Sequence, residues 1–223
     1  PSAVQDRFGQ IEPKLALLAD EYQYGGKKFD LRSKADEIIS LLPTLQRAIR
    51  ISEFENWLQP HLGAKAEFKR LPFDHPGFVL FSSGTTGKPK CITHSGAGVM
   101  LKAGAEQLYQ FDMKQNERVF FFTTCGWMMW NWLFMALVRG VTIVLFDGSP
   151  VFPRASRLFD IAEDENLHFL GVSAKYIDGI NKVGLKPKES HNLQNLRMIG
   201  STGSVLVPEG FDYIYESVKS DVH

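Results

Sequence analysis

The residues best suited to chemistry lie together at 82–90, where the string SSGTTGKPK separates two apolar runs. Gly84 and Gly87 let the backbone fold closely enough for successive amide hydrogens to face an anion. Ser82, Ser83, Thr85 and Thr86 add hydroxyl donors, Pro89 stiffens the exit of the loop, and Lys90 supplies positive charge, with Lys88 expected in solvent. A polyphosphate is the natural ligand for such a loop, although composition alone suits an ordinary polar hairpin loop equally well. A Walker-A loop is excluded by order: it needs four residues between its glycines, then Lys, then Ser or Thr opening a helix. Here Gly84 and Gly87 are too close, Lys88 precedes Pro89, and a strand is expected next.

Two further strings stand at the ends of predicted strands. TTCGWMMWN at 123–131 crowds bulky side chains into a helix start, a pattern that core packing alone explains. GSTGSVL at 200–206 reads by itself as a glycine-rich strand-to-helix turn. His94 needs no role as a base. Asp147 sits in an Asp-Gly turn with no second carboxylate beside it and is left out of any metal site.

Position for position, 82–90 resembles the phosphate-binding signature of the adenylate-forming enzymes: Ser or Thr, Ser, Gly, Ser or Thr, Thr, Gly, any residue, Pro, Lys. The resemblance implies that Ser82, Ser83, Gly84, Thr85, Thr86, Gly87 and Lys90 hold the β- and γ-phosphates of ATP. A carboxylate then attacks the α-phosphorus, and the acyl group of the resulting adenylate passes to a thiol. Such a displacement rests on positioning and charge stabilisation, which these donors can supply. Within the family, TTCGWMMWN and VLFDGSP at 144–150 are similar to blocks of the acetoacetyl-CoA synthetases, whereas acetyl- and propionyl-CoA synthetases carry G-W-V-T-G-H. This implies an acyl pocket at Trp127, Met128, Met129 and Trp130, with ATP, acetoacetate and CoA as small-molecule substrates and Mg2+ as cofactor. GSTGSVL resembles the segment that lies along the adenine, which implies that role for Gly203, Ser204 and Val205, Val205 replacing a usual proline. CITHS at 91–95 and FGQIEPK at 8–14 extend the resemblance over nearly the whole chain, which is about a third of a full-length enzyme. The magnesium ligand, the ribose-binding aspartate and the catalytic lysine are expected outside it, so no catalytic residue is assigned within it. A synthetase for another short or branched acid remains open, as does a truncated, non-catalytic nucleotide-binding module.

These strings need a scaffold. Strands are expected at 14–19, 45–51, 78–81, 91–93, 118–123, 141–146, 169–172 and 196–199, and helices at 31–42, 53–58, 98–111, 131–138, 154–166 and 174–182. Ser52 is expected to cap the second helix, and Val99, Leu101, Ala105 and Leu108 to form the buried face of the third. Tyr24-Gly25-Gly26-Lys27 reads as a turn, Pro43 as a helix stop and Arg139-Gly140 as a helix end. The alternation predicts an α/β fold with a largely parallel sheet, 141–146 a central strand, and ligands at the strand ends. A boundary at 71–77 divides the chain into a segment 1–76 and a nucleotide-binding segment 77–223.

Composition narrows the class. With 44% hydrophobic residues the chain can bury a sizeable core, and its 25 basic and 25 acidic residues leave no basic surface for nucleic acid. Cys91 and Cys125 lack partners at zinc spacing and read as free thiols of a reducing, cytosolic compartment. The apolar run 127–146 has the length of a membrane span, roughly 20 residues, but reads as a buried helix followed by a strand. The charged stretches at 163–165 and 186–189 read as solvated surface. Pro1 and His223 both look like internal cuts.

Overall fold

The computed structural model describes residues 1–82 and 87–223. They divide into two compact units, Pro1–Val99 and Met100–His223. The first unit contains helix α1 (Ser2–Phe8), strands β1 (Leu15–Leu18), β2 (Glu21–Tyr24) and β3 (Lys27–Asp30), helix α2 (Arg32–Leu41), strand β4 (Arg47–Arg50), helix α3 (Phe54–Leu58), and strands β5 (Pro76–Phe81) and β6 (Cys91–Ser95). Strands β1 and β4 pair in parallel, from Leu15 opposite Arg47 to Leu18 opposite Arg50. Between them lies the β2–β3 hairpin, whose turn places Gly25 and Gly26 at φ 57° and 76°, a conformation that suits a tight hairpin turn and that side chains resist. Sequence reasoning expected the turn but not its flanking strands, which are only four residues each and exposed throughout, although Tyr22 and Tyr24 alternate with polar residues on the first of them.

Ser52 is not a helix cap. It lies within a 3₁₀ turn at Ile51–Glu53, and its amide donates to Asp20 Oδ2 at 3.2 Å. Asp20 also accepts from Arg50 Nη1 at 3.0 Å, so one carboxylate ties the ends of β1 and β4 together.

Helix α4 (Gly96–Tyr109) leads into the second unit, followed by β7 (Arg118–Phe121), α5 (Met128–Met135), β8 (Thr142–Ile143), α6 (Arg157–Asp164), β9 (Phe169–Ser173), α7 (Ala174–Lys182), the single turn α8 (Pro187–Ser190), β10 (Met198–Thr202) and α9 (Pro208–Tyr213). Four strands form a parallel sheet in the order β10-β9-β7-β8. Alternation along the strands divides the core into two layers. Phe120, Leu170 and Val172 face a cluster containing Leu158, Phe159, Ile177 and Ile180 of α6 and α7. Val119, Phe121 and Phe169 face the other way, against Trp132, Leu133 and Ala136.

On this second face two glycines occupy one register row: Phe121 stands opposite Gly171, and Gly171 opposite Gly200. A Cβ on Gly171 would collide with the Phe121 ring, and one on Gly200 would stand 2.6 Å from Phe169 Cζ. The missing side chains therefore let two aromatic rings lie on the sheet, and Trp132 packs on them with centroids 6.1 Å from Phe121 and 5.6 Å from Phe169. An ion pair between the buried Glu117 and the half-buried Arg197 lies in the same unit. Arg197 donates to Glu117 Oε1 and Oε2 at 2.7 and 2.6 Å and to the Phe111 and Asp112 carbonyls. Burial pushes the Glu117 carboxyl up, but the hydrogen bonds from Arg197 and the Lys114 amide outweigh it and hold it below the ordinary glutamate value.

Three further expectations need correction. The run 141–146 is not a central strand: β8 spans only Thr142–Ile143 and lies at the edge of the described sheet, because the chain leaves β7 after the bond from the Val144 amide to the Val119 carbonyl. Helix α4 buries Ala103 and Gln107, while Leu101 is 59% exposed and Ala105 is exposed too. The charged stretches are tied down in part: Glu163 Oε1 accepts the Asn192 amide, and Glu165 pairs with Arg118. Gly140 ends the α5 region as expected, at φ 71°. The apolar run 127–146 divides into α5, a 3₁₀ turn at Ala136–Arg139 and β8, and no described helix is long and apolar enough to cross a membrane.

Candidate functional site

Strands β5 and β6 pair antiparallel from Phe81 opposite Cys91 outward, so residues 82–90 join them. Ser83, Gly84, Thr85 and Thr86, four of the predicted phosphate-binding residues, lie outside the described residues. The neck of the loop is described. The Ser82 amide donates to the Lys90 carbonyl at 3.0 Å, and the Lys90 amide donates to Ser82 Oγ at 3.1 Å. Ser82 Oγ thus accepts within the neck. Gly87 takes φ 93°, a left-handed conformation that glycine permits. Beyond it, the Pro89 carbonyl accepts from Gln10 Nε2 at 2.8 Å, which ties the loop to the residues following α1. Lys90 is exposed, and Lys88, also exposed, stands 4.0 Å from Asp6.

The acyl and adenine strings belong to the second unit. Trp127 precedes the first residue of α5 in extended conformation, and Met128, Met129 and Trp130 form its first turn. Trp127 meets the Phe121 ring edge-on, with centroids 6.0 Å apart, and Met129 packs on the same cluster. Met128 is 48% exposed and Trp130 half-buried, so the four residues split between a wall fixed by the core and a surface open to solvent.

Gly203 follows β10 at φ 91°. A Cβ built on it would stand 3.7 Å from the Trp127 indole, so the candidate acyl and candidate adenine strings approach each other at this ring. Ser204 and Val205 line an open cavity of about 480 Å³ with Ile199, Leu206, Phe211 and Tyr215, and the Val205 side chain is almost wholly exposed. TTCGWMMWN follows the carboxyl end of β7, and Gly203, Ser204 and Val205 follow that of β10, where ligands of open α/β sheets bind.

Sequence reasoning missed Gln107. It is fully buried, and its Nε2 donates to the Trp132 carbonyl of α5 at 2.8 Å. A search restricted to apolar periodicity passes over it; a glutamine one turn after Ala103 on the buried face is the signal that could have found it. Among the described residues no three His, Cys, Asp or Glu side chains gather to hold a metal ion, and Cys91 and Cys125 are exposed free thiols.

With this geometry in place, the chain can be compared with known proteins. The family model described as AMP-binding enzyme matches residues 1–219. An acetoacetyl-coenzyme A synthetase of Rhizobium meliloti (strain 1021) is 44% identical over 236 residues, covering 98% of this chain and 36% of the relative. The acetoacetyl-CoA synthetase of Mus musculus is 38% identical over 241 residues, covering 99% of this chain and 36% of its own length. The solved structure of acetoacetyl-CoA synthetase from Streptomyces lividans superposes with a TM-score of 0.88 at 35% identity, over 97% of this chain and 35% of that one. The chain thus spans little more than a third of these relatives, and it belongs to the AMP-binding enzyme family.

Proposed function

We propose that the full-length protein containing this chain activates acetoacetate with ATP and transfers the acyl group to CoA. The observation that supports this reading is the approach of Trp127 of TTCGWMMWN to Gly203 of GSTGSVL, close enough that a Cβ added at 203 would stand 3.7 Å from the indole, so that the candidate acyl wall and the candidate adenine wall are neighbours. The names of the relatives, acetoacetyl-CoA synthetases, supply the acid.

The acid's carboxylate is already ionised at neutral pH and needs no base. Its oxygen attacks the α-phosphorus of ATP, the bond from that phosphorus to the α,β-bridging oxygen breaks, and pyrophosphate leaves. The thiol of CoA then attacks the acyl carbonyl and expels AMP. Ser82, Ser83, Gly84, Thr85, Thr86, Gly87 and Lys90 are assigned to the β- and γ-phosphates, where amide, hydroxyl and ammonium donors offset the charge that builds on the leaving group. Gly203, Ser204 and Val205 are assigned to the adenine, and Trp127, Met128, Met129 and Trp130 to the acyl group. Magnesium accompanies the nucleotide, its ligands are assigned outside this chain, and no step described for this chain runs through it. The exposed thiols and balanced charge suit a reducing, cytosolic setting.

Acid-dependent exchange of pyrophosphate into ATP by the full-length protein tests this. Acetoacetate should drive exchange better than acetate, propionate or butyrate at matched concentration. Faster exchange with another acid keeps adenylation and overturns the substrate. No exchange with any acid favours a binding module instead.

A further inference from the structure

Helix α5 carries the candidate acyl residues on its first turn, so whatever fixes this helix also fixes them. Contacts across the helix are aromatic: the Trp132 indole packs against Phe111, Phe121 and Phe169 with centroids 5.0, 6.1 and 5.6 Å away. Such contacts resist displacement away from the sheet but tolerate small shifts along the helix axis, because they are non-directional. A hydrogen bond is directional, and Gln107 provides one, from Nε2 to the Trp132 carbonyl at 2.8 Å.

The position of that carbonyl explains why it needs a side-chain partner. Helix α5 passes into a 3₁₀ turn at Ala136–Arg139, and the Ala136 amide donates to Leu133, three residues back. The amide that would take the Trp132 carbonyl in a regular α-helix is therefore engaged elsewhere. Gln107 supplies a donor to that carbonyl from outside the helix. Its own Oε1 has no hydrogen-bond partner among the described residues, an unfavourable arrangement for a fully buried group that an apolar side chain of the same shape would avoid. The donor must therefore bring a compensating gain.

We propose that Gln107 is a positioning residue for acid selection: by holding the Trp132 carbonyl it sets the axial position of α5, and with it the shape of the pocket that Met128, Met129 and Trp130 present. The inference rests on the acyl-pocket reading above. It assigns Gln107 no contact with substrate; the residue acts through the helix.

The test uses the full-length protein with Gln107→Leu, which keeps the shape and removes the donor. Gln107→Glu serves as the second variant, placing an acceptor against the carbonyl until the carboxyl is protonated. Met129→Ala is measured beside them. Pyrophosphate exchange is followed with acetoacetate, acetate and butyrate, and KM for acid and for ATP are separated. In Gln107→Leu the preference for acetoacetate should narrow about tenfold, chiefly through KM for the acid, with KM for ATP within about twofold of the parent. Gln107→Glu should show the same defect near about pH 8 and partial rescue near about pH 6, since a buried carboxyl titrates high and regains a donor when protonated. A merely structural role would not single out the acid or produce that rescue.

Should Met129→Ala alter the acid preference while both folded Gln107 variants keep that of the parent, Gln107 has no positioning role and the pocket reading stands. Should none of the three alter it, the pocket reading fails and takes this inference with it. An equal rise in KM for ATP and for acid in the Gln107 variants also overturns the proposal.

Discussion

Gly171→Ala examines the glycine row beneath the aromatic layer. The new Cβ would stand 2.5 Å from Phe121 Cγ and Cε2 and closer still to Cδ2. Carbon atoms in contact sit about 3.5–4.0 Å apart, so the ring must retreat by about 1.5 Å or the strands must part. Retreat is obstructed, because the ring is packed edge-on against both Trp127 and Trp132. The cost belongs at the upper end for overpacking, about 3 kcal/mol, or roughly a hundredfold in the folded-to-unfolded ratio. Gly179→Ala is the matched control. It lies in α7 with no atom within 4 Å of the added carbon, and it should stabilise by about 0.5–1 kcal/mol through helix propensity. Equilibrium urea unfolding followed by tryptophan fluorescence reads both, since Trp127 and Trp132 border the affected ring. If the collision with Phe121 is the cause, combining Gly171→Ala with Phe121→Leu should recover at least about 1 kcal/mol relative to the sum of the single changes. A Gly171→Ala protein within about 0.5 kcal/mol of the parent, or strict additivity in the double variant, would refute this reasoning.

Two other perturbations reach the loop and the Glu117–Arg197 ion pair. Lys90→Ala in the full-length protein should impair the use of ATP far more than the ranking of acids in pyrophosphate exchange; an equal loss in both would count against a phosphate role for the loop. Glu117→Gln removes the carboxylate that faces Arg197 and should destabilise by about 3 kcal/mol at neutral pH. Because the folded Glu117 pKa lies below its ordinary 4.5, its contribution is present above that value and fades as pH falls through the lower, folded one. Parent and variant should therefore converge as pH falls below 4.5 and through the lower, folded value, and a gap that stays constant with pH would show that the charge is not responsible.

What could be read from the sequence was whatever local chemistry decides. Helix α7 begins and ends where its periodicity says, at Ala174 and Lys182, with Ser173 Oγ accepting the Tyr176 amide as an N-cap should. Gly140 and the Gly25-Gly26 pair are in left-handed conformations that glycine alone adopts readily. The family was legible because the order of residues in SSGTTGKPK separates it from other phosphate loops with similar composition. Hidden features depend on partners distant in sequence. Ser52 looked like a cap because nothing nearby announces Asp20, 32 residues away, as the acceptor of its amide. The apolar run 141–146 has the composition of a buried strand, yet only position in the sheet decides that β8 stops after two residues. Gln107 faces inward because one carbonyl at a helix-to-3₁₀ junction needs a donor, a demand no periodicity records.

The closeness of Trp127 to Gly203 also carries a thermodynamic consequence for how the two substrates affect each other's binding. In the proposed roles one indole belongs to the acid's pocket and touches the nucleotide's, so neither ligand can move it privately. Whatever factor a bound acid adds to or removes from nucleotide affinity through that ring, bound nucleotide must return to acid affinity in equal measure. Position 203 is therefore a natural place to tune this linkage, and its positive φ leaves glycine as the residue that keeps the two sites in touch without strain.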